Sequence, residues 1–147
     1  INGRLYNMAP PSRKHQRITG ELFTSINNYI REQHGSCEVD IAPFAVFLMK
    51  DDLNYVEPDI SVICRPENLT EKGCFGAPDW IIEVVYYIKL FKYRTAGVRE
   101  YWIVDPEKDR ITVYSFENED SAEYSFEDSV KSGIFKNLEI DFSSFSL

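Results

Sequence analysis

The chain has 147 residues, of which 44% are hydrophobic, and its formal net charge at pH 7 is −8. That length and apolar content suit one globular domain with its own core, and they exclude a disordered or collagen-like protein. The negative charge argues against a broad basic surface that grips nucleic acid by charge alone. Any contact with a polyanion must therefore be local or mediated by a metal ion.

The cysteines predict neither a disulfide framework nor a zinc site. Cys37, Cys64 and Cys74 are odd in number and lack CxxC spacing. We therefore expect a reducing, cytoplasmic location. No run approaches the roughly 18 apolar residues that a membrane-spanning helix needs, and the opening lacks a signal-peptide pattern. Because the chain starts at Ile1 rather than Met, we also expect that residues precede it in the full protein.

The first third of the chain predicts a strand, one long helix and an interrupted strand. Residues 4–8 form a candidate strand, and Ser12 can cap the helix that follows. Apolar residues recur at helical spacing up to Gly35, which is expected to end a helix of about five turns. Residues 37–49 predict a long strand that is interrupted near Pro43. The apolar face of the helix consists of Ile18, Leu22, Ile26 and Ile30.

Apolar strand patterns follow over residues 56–63 and 77–85, on either side of a turn-rich insert. The remaining predicted elements are a helix over 87–96 that ends at Gly97, a strand over 101–104, a hairpin of 110–116 with 122–126, and an edge strand within 133–147. We find no repeats or linkers. The pattern predicts a single α/β domain over residues 1–147, with a helix, three strands, a helix, a strand and a C-terminal hairpin in that order.

The end of the strand over 77–85 is physically odd, because it passes directly into helical spacing at Tyr86. Strand-to-helix loops usually take about 2–6 residues, and no turn-forming residue stands at this junction. We hypothesise that a mobile loop of the natural chain is missing between Val85 and Tyr86. A Cα–Cα distance of about 3.8 Å across this bond, as in a trans peptide, would contradict the hypothesis.

Asp59 and Glu83 lie inside runs of Val and Ile, where charged side chains are rarely buried unless they are paired or bound to a metal. If the two strands are neighbours, these carboxylates converge at one edge, where they and the backbone carbonyl of Val84 could hold Mg²⁺. Lys89 could then stabilise charge on a phosphate. The residues alone equally allow Asp59 to be a strand-end residue and Glu83 an acid paired with a lysine.

Two further residues are candidates for substrate binding. His15, on the first turn of the long helix, could contact substrate or a metal-bound water, although its residue type favours an ordinary surface group. Lys92 belongs with Arg94 and Arg99 to the most basic local segment, where a phosphate backbone would approach, but a solvated helix face is the alternative. The hairpin carries aromatic residues that could serve as core or as an oligomer interface. They are Tyr114, Phe116, Tyr124 and Phe126.

Several segments, in this order, resemble the Uma-two family of restriction endonucleases. They are 58–62 (PDISV), 76–85 (GAPDWIIEVV), 89–93 (KLFKY) and 97–106 (GVREYWIVDP), with 1–5 (INGRL) and 11–15 (PSRKH) at the start. This resemblance spans nearly the whole chain. It implies the PD-(D/E)XK nuclease fold, a restriction-endonuclease-like core whose mixed central sheet is flanked by helices. It also implies Mg²⁺-dependent phosphodiester hydrolysis, with Mn²⁺ as a substitute.

The resemblance also implies roles for individual residues. Asp59 matches the motif aspartate, and Glu83 matches the acid of the next strand. The superfamily lysine would fall at Val85, so Lys89 on the following helix is the residue expected to take its role. His15 is implied to lie on a helix that faces the site. A Ser-Pro-Ser type loop is expected after the strand of Glu83, where this chain has none, which agrees with the hypothesis of a missing loop.

We therefore predict a metal-dependent endonuclease that acts on DNA, with a homodimer as the expected assembly. Asp59, Glu83 and Lys89 are the predicted catalytic residues, and His15 and Lys92 the predicted substrate-binding residues. The alternative is a catalytically silent, dimeric nuclease-like module that binds a protein or nucleic acid. A purely structural oligomer is a third possibility, which depends on the aromatic hairpin alone.

Overall fold

The computed structural model of the protein describes residues 9–51, 53–84 and 89–147. Its two helices are α1 (Arg13–Glu32) and α2 (Leu90–Ala96). Its strands are β1 (Glu38–Ile41), β2 (Val46–Phe47), β3 (Ile60–Ile63), β4 (Leu69–Thr70), β5 (Gly73–Phe75), β6 (Trp80–Glu83), β7 (Glu100–Asp105), β8 (Arg110–Ser115), β9 (Asp120–Ser125), β10 (Ser129–Lys131) and β11 (Glu139–Asp141). Short 3₁₀ turns lie at Pro66–Asn68 and Phe142–Ser144.

A six-stranded sheet in the order β1-β3-β6-β7-β8-β9 forms the centre of the described fold. Strands β6 and β7 run parallel, whereas the other neighbours in this sheet are antiparallel. A parallel pair needs a crossover connection, and α2 lies on that crossover. The predicted mixed α/β class, a central mixed sheet with flanking helices, is confirmed.

The two faces of the sheet carry separate hydrophobic clusters. Alternate residues of β6 belong to different clusters, as the two-residue period of a strand requires: Ile82 packs with α1 and Ile81 packs with α2. The hairpin aromatics divide in the same way. Tyr114 and Phe116 pack on the α2 side, whereas Tyr124 and Phe126 pack on the α1 side. These rings therefore contribute to both cores.

Helix α1 forms where the cap and the apolar spacing predict it. The hydroxyl of Ser12 accepts a hydrogen bond of 3.0 Å from the backbone N–H of His15, which satisfies one of the free N–H groups at the start of the helix. The helix ends at Glu32, three residues before Gly35. Ile18, Leu22, Ile26 and Ile30 of its apolar face are buried against the sheet. Helix α2 likewise ends where predicted, with Gly97 in a left-handed conformation at φ 97°.

Three strand predictions need correction. Residues 37–49 form β1 and β2, which belong to different sheets on either side of the cis Ala42–Pro43 bond, and proline has no N–H with which to continue the ladder. The turn-rich insert contains β4 and β5, which make a small sheet with β2. The tail pairs β10 with β11 in a sheet of its own instead of extending the large one.

The prediction that disulfides are absent is wrong for one pair of cysteines. Cys37 and Cys64 are joined by a disulfide, and Cys74 is a buried free thiol. Glu38 and Ile63 stand opposite each other where β1 pairs with β3 in the antiparallel sense. Cys37 and Cys64 therefore occupy the next pair of opposed positions. Their separation of 27 residues conceals this proximity in the sequence.

Some predictions concern parts of the chain outside the described residues. These are the strand over 4–8, the junction between Val85 and Tyr86, and the start of the second helix at 87–88. In the described ranges, none of the helices has the length and apolar character that crossing a membrane requires.

Candidate active site

The register of β3 with β6 brings the two predicted acids together. Ile60 stands opposite Ile82 in this antiparallel pair, so Asp59 and Glu83 occupy the next opposed position. Opposed residues share a face of the sheet, with Cβ atoms about 4.5–5.5 Å apart. Both acids therefore lie on the α2 face, at the edge where β3 begins and β6 ends.

Asp59 is held by two contacts from different elements. Its Oδ2 accepts a hydrogen bond of 2.8 Å from the backbone N–H of Val84, which follows β6 directly. Its Oδ1 lies 3.2 Å from Nε2 of His15 on α1. Only 16% of the Asp59 side chain is exposed. The carboxylate is thus fixed in orientation and still reachable from solvent.

His15 reaches the site from the α1 face of the sheet, and its side chain is only 15% exposed. Its Nδ1 lies 3.1 Å from Oε1 of Gln16, while Nε2 faces Asp59. Both ring nitrogens therefore have oxygen acceptors, an arrangement that suits the doubly protonated ring. The hydrogen bond to Asp59 is the largest cause that raises the pKa of His15, against the opposing effect of burial. His15 is therefore a half-buried, hydrogen-bonded residue next to Asp59, and its role in substrate binding stays a prediction.

Glu83 is the more deeply buried of the two acids, with 4% of its side chain exposed. Its Oε1 lies 3.0 Å from Nζ of Lys89 and accepts a short hydrogen bond from the hydroxyl of Tyr93. Burial raises the pKa of Glu83, and the Lys89 ammonium opposes that rise. The negative charge of Asp59 raises it slightly further. The acid is thus partly neutralised by one cation and oriented by one hydroxyl.

Tyr93 is a site residue that the sequence reasoning missed. It lies four residues after Lys89, one turn further along α2, so both side chains project toward Glu83. Burial, followed by the charge of Glu83, raises the pKa of the Tyr93 hydroxyl, which therefore keeps its proton as a donor. The four-residue spacing was the signal that could have identified it.

Val84 and Lys92, the other two predicted site residues, have no side-chain contact with the two acids among the contacts described above. Val84 contacts Asp59 through its N–H group, and its side chain is buried in the α1-side core. Lys92 is partly buried on α2 and lines a small cavity next to Met49 and Tyr55. Burial lowers the pKa of Lys92, and the charge of Lys89 lowers it further, so the two ammonium groups repel each other.

The other cations of the basic segment are engaged in ion pairs. Nη1 of Arg99 lies 3.2 Å from Asp79 and its Nε lies 2.6 Å from Glu117. Arg94 has one longer contact, 3.8 Å, with Glu119. Asp79 precedes β6, so this ion-pair cluster lies at the end of the strand opposite to Glu83. The guanidinium of Arg99 is therefore already paired with two carboxylates.

The donor atoms of the site suit a hard divalent cation. Among the described residues there is no group of three or more His, Cys, Asp or Glu side chains that could hold a metal ion. Mg²⁺, however, is commonly bound by one or two carboxylates, with water and substrate phosphate completing its octahedral shell. The carboxylates of Asp59 and Glu83 are oxygen ligands of this kind. The two acids therefore fit Mg²⁺ better than a softer metal that prefers sulfur or nitrogen.

Comparison with known proteins gives a family match and similarity to solved structures. The model of the Uma2 family, whose description is "Putative restriction endonuclease", matches residues 1–143. The fold is similar to the crystal structure of a protein from Anabaena variabilis that is described as a "putative nuclease belonging to DUF820". That likeness has a TM-score of 0.76 at 20% sequence identity, and it covers 97% of this chain and 86% of the other. No curated protein matches the chain.

The structural match extends along nearly the whole of both chains, so it establishes the architecture of the mixed sheet and its helices. At this level of identity it carries the fold alone. The family match is independent of it and includes every site residue, from His15 to Tyr93. Because that match covers almost the complete sequence, the chain belongs to the Uma2 family.

Proposed function

We propose that the protein is a Mg²⁺-dependent endonuclease that hydrolyses phosphodiester bonds in DNA. One observation carries this proposal: the register places Asp59 opposite Glu83, and Nζ of Lys89 lies 3.0 Å from the Glu83 carboxylate. Two acids and one ammonium at the edge of a sheet suit the hydrolysis of a charged ester. Family membership supports the same reaction class.

Each residue of the site has a role in the proposed reaction. Hydrolysis forms a bond between a water oxygen and phosphorus, breaks one P–O bond and leaves an alkoxide that must gain a proton. When bound by Asp59 and Glu83, Mg²⁺ would supply Lewis-acid chemistry and neutralise phosphate charge. Lys89 provides a positive charge next to the phosphate. Val84 and His15 hold Asp59, and Tyr93 holds Glu83, so that neither carboxylate needs to reorganise.

Further parts of the proposal concern binding and assembly. The carbonyl of Val84 is proposed as a third oxygen ligand, with Mn²⁺ as an alternative ion. The imidazolium of His15 and the ammonium of Lys92 are proposed to attract the substrate backbone. We also propose a single nuclease domain over residues 1–147 and a homodimer.

The direct test is plasmid nicking in Mg²⁺ or Mn²⁺ by the wild type and by the Asp59→Asn, Glu83→Gln and Lys89→Met variants. We expect each substitution to reduce nicking by at least about 100-fold, the range seen when a group that acts in the transition state is removed. Asp120→Asn and Lys131→Met are matched controls, since both residues are exposed and outside the site. Equal nicking by all six proteins would indicate a contaminant or a wrong site.

Metal binding can be measured without activity. Isothermal titration of Mn²⁺ into the wild type should give a binding curve that Asp59→Asn and Glu83→Gln both lose, and that Asp120→Asn retains. Lys89→Met should bind the ion at least as well as the wild type, because the ammonium competes with the ion for Glu83. Unchanged binding in the acid variants would contradict the proposed ligands.

The ion pair of Glu83 with Lys89 also favours a second candidate function. A carboxylate that is already neutralised by its own lysine, in a chain with a net charge of −8, suits a catalytically silent module that binds a protein or nucleic acid. This candidate predicts no cleavage of plasmid, single-stranded DNA or RNA in either metal, and no Mn²⁺ binding that depends on Asp59.

A further inference from the structure

Exposed apolar side chains are concentrated next to the candidate active site. Among the described residues, six large hydrophobic side chains are strongly exposed, and three of them lie in the short segment between β2 and β3. Met49 is 70% exposed, Leu53 83% and Tyr55 46%. Single exposed apolar residues are normal, whereas exposed apolar side chains that are grouped together are typical of surfaces that bind another molecule.

Two of these side chains form the walls of a cavity of about 120 Å³. Met49, Tyr55 and Lys92 of α2 all line it. The buried floor consists of Val46, Leu48 and Val56, and Asn54 completes the lining. Binding sites for whole cofactors or drug-sized ligands usually have about 300–1,000 Å³. This cavity therefore suits one flat ring or the edge of one base.

The Tyr55 ring is fixed on its inner side. It packs against Phe47 at a centroid distance of 5.6 Å, and Phe47 stacks on Phe75 at 4.4 Å. Phe47 is buried, so the column of rings is anchored in the small sheet of β2, β4 and β5. A ring that the core holds in place loses little conformational entropy when a ligand stacks on it.

Lys92 lies between the cavity and the end of the sheet that carries Asp59 and Glu83. It lies three residues after Lys89, one turn along α2, and the two ammonium groups are close enough to lower the pKa of Lys92. A phosphate that approaches Lys92 is thus next to the phosphate that Lys89 and the two acids would hold. Lys92 thus lies both in the lining of the cavity and one helical turn from Lys89.

The chemistry of the cavity selects its occupant. An apolar wall, an aromatic face and an ammonium match a nucleotide, which has a flat base and an anionic phosphate. A base inside a duplex is already stacked on its neighbours and shows only its edges, so it cannot cover the Tyr55 ring. A net charge of −8 also disfavours binding along a long duplex by charge alone.

We propose that Met49, Tyr55 and Lys92 bind one unpaired nucleotide next to the scissile phosphodiester. The base stacks on Tyr55 and Met49, and the phosphate of that nucleotide contacts the ammonium of Lys92. The substrate class is therefore single-stranded or locally unpaired nucleic acid. The position of the scissile bond rests on the proposed function, whereas nucleotide binding at the cavity does not.

The test is fluorescence anisotropy with a labelled single-stranded oligonucleotide and its blunt duplex, in EDTA so that nothing is cleaved. We expect the wild type to bind the single strand at least tenfold more tightly than the duplex. Tyr55→Ala should weaken single-strand binding roughly 5- to 150-fold, which is the range for loss of one base–aromatic stack. Tyr55→Phe should bind like the wild type. Tyr55→Leu keeps apolar bulk against Phe47 and should still lose affinity, so misfolding cannot explain the loss.

Lys92→Gln should weaken binding and reduce the slope of log K against log salt by about 0.7, the value for one contact with a single-stranded backbone. Arg94→Gln removes the same charge from an exposed position on the same helix and should change neither quantity. The proposal is overturned if duplex and single strand bind equally, or if Tyr55→Leu binds like the wild type. It is also overturned if sedimentation shows that Tyr55→Leu dissociates a dimer, because the surface would then bind a second copy of the chain.

Cleavage is measured separately, so the two proposals can fail independently. Binding that depends on Tyr55, without any cleavage, contradicts only the proposed catalytic function. Cleavage that depends on Asp59, without preference for unpaired nucleotides, contradicts only this inference.

Discussion

The ammonium of Lys89 lies 3.0 Å from Oε1 of Glu83, although the two residues belong to different layers of the fold. Glu83 ends β6, whereas Lys89 directly precedes α2. The cation therefore reaches the acid from the crossover between two parallel strands. Because Glu83 is 4% exposed, the attraction between the two charges is weakened less than it would be in water.

Lys89→Met should destabilise the protein by roughly 1–3 kcal/mol at about pH 8, because it leaves a buried carboxylate without its cation. Without Lys89 the pKa of Glu83 rises further. An acid with a raised pKa stabilises the folded protein at low pH, and this stabilisation is lost as pH increases. The difference in stability between Lys89→Met and the wild type should therefore be smaller at about pH 5 than at about pH 8. Urea unfolding at both pH values measures this effect. The double variant Lys89→Met with Glu83→Gln should regain stability; if it does not, charge burial is not the cause.

Tyr93→Phe should cost roughly 1–3 kcal/mol, because it removes a hydrogen bond to a buried charged group. Tyr124→Phe is the matched control, since no hydrogen bond of the Tyr124 hydroxyl is present in the described structure. Thermal unfolding of both variants provides the comparison. Equal midpoints would show that the Tyr93 hydroxyl does not hold Glu83.

Asp59→Asn should lower the pKa of His15, because the hydrogen bond to Asp59 is the largest cause that raises it. A raised folded-state pKa means that His15 contributes stability below its ordinary pKa and that this contribution disappears as pH rises through the folded-state value. NMR titration of the His15 ring carbons measures the change directly. Asp109→Asn, at an exposed carboxylate that pairs with Lys14, should leave the His15 titration in place.

Glu100 is a buried acid outside the candidate active site, and we expect it to cause a separate effect of pH on stability. Its Oε1 accepts a bond of 2.6 Å from Nε1 of Trp102, and its Oε2 one of 2.7 Å from the N–H of Gly133. Burial nevertheless raises its pKa from 4.5 to about 7. The contribution of Glu100 to stability is therefore fully present below about pH 4.5, and about 3 kcal/mol of it is lost as pH rises through about 7.

Glu100→Gln tests this effect, because an amide does not titrate. The variant should be less stable than wild type at low pH, since its amide NH₂ faces an N–H donor. The difference between the two proteins should narrow by about 3 kcal/mol between about pH 5 and about pH 8 in urea unfolding. A constant difference across that range would show that Glu100 stays ionised in the folded protein.

The Cys37–Cys64 disulfide predicts one free thiol without reductant and three with reductant, counted by alkylation of the unfolded protein and mass spectrometry. Burial raises the pKa of the Cys74 thiol to about 11, so alkylation of the folded protein should be slow. The Cys37→Ser variant should lose about 3–4 kcal/mol of stability according to the loop-entropy estimate. Three free thiols without reductant would show that the two cysteines stay reduced in solution.

Local signals predicted local structure well. The capping hydroxyl of Ser12, the apolar spacing of α1 and the left-handed Gly97 are all encoded within a few residues, and all are confirmed. The small sheet was missed because β2 and β4 have two residues each, and because β2 pairs in parallel with β5 across a long stretch of chain. A two-residue strand has no measurable period.

The site was predictable where a charge interrupts an apolar run. That rule found Asp59 and Glu83, Lys89 followed as a nearby cation, and the family resemblance matched Lys89 to the superfamily lysine. It could not show that Nε2 of His15 contacts Asp59, because that contact joins α1 to the start of β3 across the edge of the sheet. The disulfide was missed for the same reason. The first contact depends on how α1 packs on the sheet and the second on the register of β1 with β3, and the sequence displays neither.

The disulfide has a consequence for a chain that a protease has cut. The loop that it closes contains β1, β2 and Asp59. The same loop contains the exposed side chains of Met49 and Leu53, between β2 and β3. Exposed segments of this kind are preferred sites of proteolytic cleavage. A single cut there leaves both fragments covalently joined through Cys37 and Cys64. Such a nicked protein would migrate as one species without reductant and as two with it. The fragment that carries His15 would stay tethered to the fragment that carries Asp59 and Glu83.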